Sequence, residues 1–180
     1  MQLPIIAFAA LMLTACESYS PPRYAVPQEN TPVLKTMSAA RIRVSAFTLA
    51  TPFDGSCRGT INIDPPVGMS YQQYFQNALA DELRAAGIYE EARPTVVLSG
   101  TIEKLAFSST VGVTNGEWNI SVRITSSNGK SASFSEFFSF ESTFAGRSAC
   151  RRIAEAFQPA VQNLIGKAVR STQFRSLIGI

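Results

Sequence analysis

Histidine is missing altogether from the 180 residues. Its absence removes the Ser-His-Asp and Cys-His arrangements of nucleophilic catalysis, every imidazole metal site, and the side chain that exchanges protons most readily near neutral pH. Charge is scarce as well. Only 16% of residues are Asp, Glu, Lys or Arg, and the formal net charge of +3 comes from basic residues scattered along the chain. Nucleic-acid binding wants a clustered basic face, so that class is set aside. Phosphate loops, dinucleotide fingerprints and nucleophile elbows are all absent; no cofactor or metal is implied, and an enzyme is not expected. Beyond the N-terminus, no apolar run approaches the ~20 residues of a membrane-spanning helix.

What is present begins with an apolar run from Leu3 to Leu13 that ends in Leu13-Thr14-Ala15-Cys16. An apolar stretch closed by small residues reads as a secretory signal, although Met1-Gln2 lacks the usual Lys or Arg. The alternative is an anchor helix that is never cut, which this run is short to form. With cysteine first after the cut, the segment resembles the lipobox of bacterial lipoproteins. That resemblance implies removal of residues 1–15, acylation of the Cys16 thiol by palmitate-like chains, and a mature chain anchored in a membrane. In a Gram-negative host, Glu17 rather than Asp after the cysteine implies the outer membrane, with the domain facing the periplasm. Each buried CH₂ contributes roughly 0.8 kcal/mol, so several acyl chains hold a soluble domain almost permanently.

With Cys16 lipidated, Cys57 and Cys150 remain as an even pair in an oxidising compartment. A disulfide between them is expected; two separate buried thiols are the alternative. From Glu17 to about residue 38 the chain is polar and rich in proline, with Pro21, Pro22, Pro27 and Pro32. It reads as a flexible tether spanning 16–38, ahead of a single domain over 39–180. Tyr24, Val26 and Val33-Leu34 support the other possibility, a segment packed along the domain.

Alternation over Arg41–Leu49 predicts a strand with Ile42, Val44 and Ala46 on one face. Asp54–Cys57 reads as a turn and Thr60–Ile63 as a short strand. Ser70 is placed to cap a helix carrying Tyr71, Tyr74, Phe75, Ala78, Leu79 and Leu83 on one stripe, with Gly87 as its stop. A strand over Thr95–Phe107 follows, and then a hairpin. In the hairpin, a three-residue loop with left-handed Gly129 sets Val122 opposite Phe134 and Trp118 opposite Phe138, and brings Glu136 opposite Ile120. This matches the apolar pattern better than a two-residue Asn128-Gly129 loop. A closing helix from about Ser148 to Arg170 carries Pro159, which should kink or divide it. The tail through Phe174 and Leu177 is apolar enough to dock. The expected fold is α+β: an antiparallel sheet of about four strands in β-α-β-β-β-α order, with two helices packed on one face.

Asp81-Glu82 and Glu90-Glu91 are candidate acid/base pairs, yet their positions point to solvated roles. Glu136, between phenylalanines, is either a buried functional carboxylate or an edge-strand charge that discourages aggregation; the second is preferred. Phe137 is either outward apolar surface for a partner or lipid or simply core; core is preferred, with one exposed edge left for strand addition. The lipobox, Val97-Leu98-Ser99-Gly100-Thr101-Ile102, Trp118, Ser127-Asn128-Gly129-Lys130, and Phe157 to Ile165 with Phe174 together resemble the YajG-like and ABC-transport-auxiliary outer-membrane lipoproteins. That resemblance covers about residues 96–174. It implies a non-catalytic envelope role, with an envelope protein as partner beside the membrane and no nucleic acid. A periplasmic module for lipid or cell-wall fragments is the alternative function.

Overall fold

A computed structural model describes residues 17–112 and 114–180. Cys16 and the signal reading of residues 1–15 lie outside the described residues. The elements, in order, are β1 (Glu17–Tyr19), α1 (Asn30–Lys35), β2 (Ile42–Leu49), β3 (Ser56–Cys57), β4 (Ile61–Ile63), α2 (Tyr71–Ala85), β5 (Val96–Val111), β6 (Asn115–Ser126), β7 (Ser131–Glu141), α3 (Gly146–Arg170) and α4 (Thr172–Leu177). The class is α+β, with a four-stranded sheet in the order β2-β5-β6-β7 and a three-stranded sheet in the order β1-β4-β3. The expectation of one antiparallel sheet with two helices is therefore corrected. β2 pairs with β5 in parallel, because α2 intervenes and carries the chain back to the end where β2 began. The second sheet and two short helices were not foreseen.

The hairpin has the expected register: Val122 opposes Phe134, Trp118 opposes Phe138 and Ile120 opposes Glu136. Gly129 takes the left-handed backbone that this loop needs, with φ +85°. Ser70 and Gln73 form a reciprocal capping box at the start of α2, and Gly87, also at positive φ, follows its end. In β2 the alternation breaks. A register irregularity between Val44 and Phe47 turns Ala46 outward and Phe47 inward. Gly100 faces Phe47 across the pair, and a Cβ there would stand 2.2 Å from the ring.

The core lies between the large sheet and the helices. Trp118 is fully buried and donates its indole N–H to the Ile153 carbonyl at 2.9 Å. Phe157, Phe53 and Phe107 surround it. Tyr71 and Tyr74 belong to this core, and their hydroxyls donate to the Ile63 and Pro22 carbonyls at 2.9 and 3.1 Å. Burial pushes both phenols well above their ordinary pKa. Phe174 and Leu177 dock through α4. α3 runs through Pro159 without a break in its helical assignment. Proline there removes the amide that would bond the carbonyl four residues back, at Glu155, and both residues line an open surface groove. Among the described residues, no helix is long and apolar enough to cross a membrane.

The segment expected to be a tether is instead fixed along the domain. β1 pairs with β4, Leu34 and Met37 are buried, and the Arg23 and Ala25 carbonyls accept from Gln158 and Gln162 on α3 at 2.5 and 2.7 Å. The prolines set an extended path, and the side chains between them find partners on α2 and α3.

Candidate functional site

Cys57 and Cys150 are joined, with Cα atoms 5.9 Å apart. The bond fastens the short sheet to the first turns of α3. Both cysteines are buried.

The acids separate by environment. Asp81 pairs with Arg84 at 2.7 Å on the surface. Glu90 accepts the amides of Ala92 and Arg93 and lies 3.7 Å from Arg41; those backbone bonds hold its carboxyl below the usual range. Glu91 accepts from the Tyr89 hydroxyl. Glu82 is the exception to the solvated reading: it is completely buried. Its Oε1 accepts from Tyr24 Oη at 2.6 Å and Asn30 Nδ2 at 2.9 Å, and Asn30 Oδ1 accepts from Arg170 at 2.8 Å. Oε2 has no partner. Burial raises the Glu82 pKa against the lowering effect of the two hydrogen bonds, and Tyr24 is raised by burial and by its contact with Glu82. Sequence reasoning missed this network because both partners come from the presumed tether. The signal was Glu82 falling on the same helical stripe as Ala78, Leu79 and Ala86.

Glu136 is only 5% exposed. Its carboxylate pairs with the Lys167 ammonium and accepts weakly from Asn163 at 3.4 Å. A charge that points inward from an edge strand and is held by the flanking helix discourages indiscriminate strand pairing. Phe137, by contrast, is 58% exposed on the outer face, which corrects its reading as core. That face is otherwise polar: Ser121 and Ser135 bond at 3.0 Å, and Arg123 and Glu103 at 2.6 Å.

Among the described residues, β7 is the edge of the large sheet and pairs only with β6. Beside its C-terminal half runs a solvent-open groove of about 430 Å³ against α3. Phe138 and Phe140 are stacked there with centroids 6.4 Å apart; Ala156 and Pro159 line the helix side, and Arg151, Arg152, Glu141 and Glu155 add charge. Gly116 opposes Phe140, and a Cβ there would stand 2.5 Å from the ring, so glycine lets the phenyl lie across β6. Groove and strand edge lie side by side, so stacked phenyl rings and the outer edge of β7 share one surface. Among the described residues, no group of His, Cys, Asp and Glu could hold a metal ion.

At the first turn of α3, Glu17 pairs with Arg147 at 3.0 Å. It also accepts from the Tyr19 hydroxyl, which raises that phenol's pKa while Arg151 and Arg147 oppose the rise.

No protein-family model matches the chain, and no curated protein sequence does. Solved structures do resemble it. A candidate lipoprotein of Caulobacter crescentus aligns over 82% of this chain and 91% of its own, with TM-score 0.40 and 16% identity. A hypothetical protein of Chlamydia trachomatis aligns over 78% and 98%, with TM-score 0.42 and 12% identity. A Xanthomonas campestris protein of the DUF330 family aligns over 88% of this chain and 95% of its own, with TM-score 0.57 and 13% identity. The chain has the fold of that DUF330 protein over nearly its whole length.

Proposed function

We propose that this chain is an outer-membrane lipoprotein of the YajG-like and ABC-transport-auxiliary kind. Acyl groups on Cys16 hold it, and its periplasmic domain is a non-catalytic docking subunit of an envelope transport or assembly complex. The observation that carries the docking role is β7, an eleven-residue edge strand with Phe137 exposed on one face and the Phe138–Phe140 groove on the other. A partner strand adds to such an edge through main-chain hydrogen bonds, and side-chain pockets on its two faces give specificity. The buried carboxylates serve structure in this reading: Glu82 holds the N-terminal segment and Glu136 protects the edge. A ligand module would instead enclose an apolar pocket, whereas this groove opens to solvent.

In-cell cross-linking of the full-length protein from a photoreactive residue at position 137, with mass spectrometry of the products, tests the docking role. One stoichiometric envelope protein is expected, captured from position 137 and not from a probe at exposed Gln173 on α4. A membrane-bound chain that captures no protein from β7 contradicts it.

A further inference from the structure

The point at which the domain meets its anchor is fixed by β1. Glu17 is the first residue of that strand, paired with Ile61, which in turn pairs with Cys57. One peptide unit, about 3.8 Å between Cα atoms, separates Glu17 from Cys16. Acyl chains on a cysteine one peptide unit from β1 would hold the membrane near this end of the domain.

The residues at that end suit a phospholipid surface. They come from the β3–β4 turn, the end of β5, the loop before α3 and the first turns of α3. Arg58 bonds Ser109 at the end of β5 at 2.8 Å and packs against Gly146. Ser142 donates to the Thr114 carbonyl at 2.6 Å, and Arg147 reaches Glu17. Arg58, Arg147, Arg151 and Arg152 are all exposed here, the last two at the mouth of the β7 groove, against the carboxylates of Glu17, Glu141 and Glu155. Among them Phe144 is 79% exposed, and Val111 is exposed at the neighbouring turn. A cationic rim around projecting apolar side chains is what an interfacial contact uses, with guanidinium groups at the headgroups and the ring among the upper acyl carbons.

Resting on the lipoprotein reading, we infer that this end of the domain is a built membrane-contact face, seated directly on anionic phospholipid with Arg58, Arg147 and Arg151 at the headgroups and Phe144 inserted. β6, β7 and α3 then run away from the bilayer, and the β7 edge stands open at the side of the domain.

The test uses full-length protein purified from the membrane and reconstituted into vesicles of phosphatidylcholine with brominated phosphatidylglycerol. Trp118 is buried and supplies a constant background, so a Phe144→Trp variant reports contact with brominated chains and an Ile180→Trp variant reports the far end. α4 contacts Asn128 there, in the β6–β7 loop. Strong quenching of the Phe144→Trp protein alone is expected. It should weaken in a background of Arg58→Gln, Arg147→Gln and Arg151→Gln, although the acylated chain still sediments with the vesicles. Equal quenching of both tryptophan variants, or none, in chains shown by mass to be acylated overturns the face and leaves the anchor standing. So does quenching that is unchanged by the three glutamines in a variant of unaltered unfolding midpoint. A chain that carries no acyl mass and does not sediment overturns the anchor reading, and the inference with it.

Discussion

Removing the Cys57–Cys150 bond perturbs the fold at a place where its cost can be worked out. The cysteines are 93 residues apart in sequence. In the chain-entropy treatment, freeing a loop of that length gives the unfolded chain about 4.7 kcal/mol of additional entropy at 25 °C. For a domain of this size, about 2–4 °C per kcal/mol makes the corresponding fall in melting temperature about 10–20 °C. Both sulfurs are buried, so Cys57→Ala with Cys150→Ala avoids leaving polar thiols unpaired and isolates the cross-link. Urea unfolding of the double variant beside the oxidised protein measures the difference. The loss should also be uneven: hydrogen exchange should quicken first in β1, β3 and β4, which Cys57 fastens to α3. A double variant within about 1 kcal/mol of the parent, with unchanged exchange in those strands, refutes the view that the bond is what holds the small sheet in place.

Three further outcomes follow from the core and the buried network. Burial raises the folded-state pKa of Glu82 above its ordinary 4.5, so its contribution to stability is fully present below about pH 4.5 and is lost as pH rises through the raised value. Glu82→Gln should remove that decline, which urea midpoints across pH 4–8 will show as a difference between the two proteins that changes with pH; parallel curves contradict it. Asn30→Ala leaves buried Glu82 with the Tyr24 hydroxyl and takes from Arg170 its Asn30 acceptor, and should cost about 1–3 kcal/mol while exposing residues 20–38 to proteolysis. Gly100→Ala drives a Cβ into the Phe47 ring and should cost about 1–3 kcal/mol by thermal unfolding, as overpacking does.

The parts of the fold that were legible in the sequence are those governed by local chemistry. Ser70 announced a helix start, and Gly129 together with the Trp118 and Phe134 pattern fixed a hairpin register to the residue. The cysteine pair was legible because the signal implied an oxidising compartment. What escaped depended on distant partners. Alternation in β2 gave no hint of the irregularity that puts Phe47 inside, because the accommodating residue is Gly100, more than fifty positions away. Prolines at 21, 22, 27 and 32 suggest a tether as readily as a strap, and distant partners decide between them: β4, the carboxylate of Glu82, and the amides of Gln158 and Gln162. The same long-range pairing hid the burial of Glu82. Phe137 was misplaced for a simpler reason. Alternation assigned it to the face opposite Phe138, and nothing local said that this face would be left uncovered.

The account depends most on Cys16, since the anchor, the compartment and the seated face all follow from it. The most direct test is the mass of the N-terminal peptide from protein expressed with its own leader in a Gram-negative host. A peptide beginning at Cys16 and carrying fatty-acyl mass, lost on Cys16→Ser, is the predicted result. A chain that begins at Met1, or at any residue beyond Cys16 with no lipid attached, contradicts it.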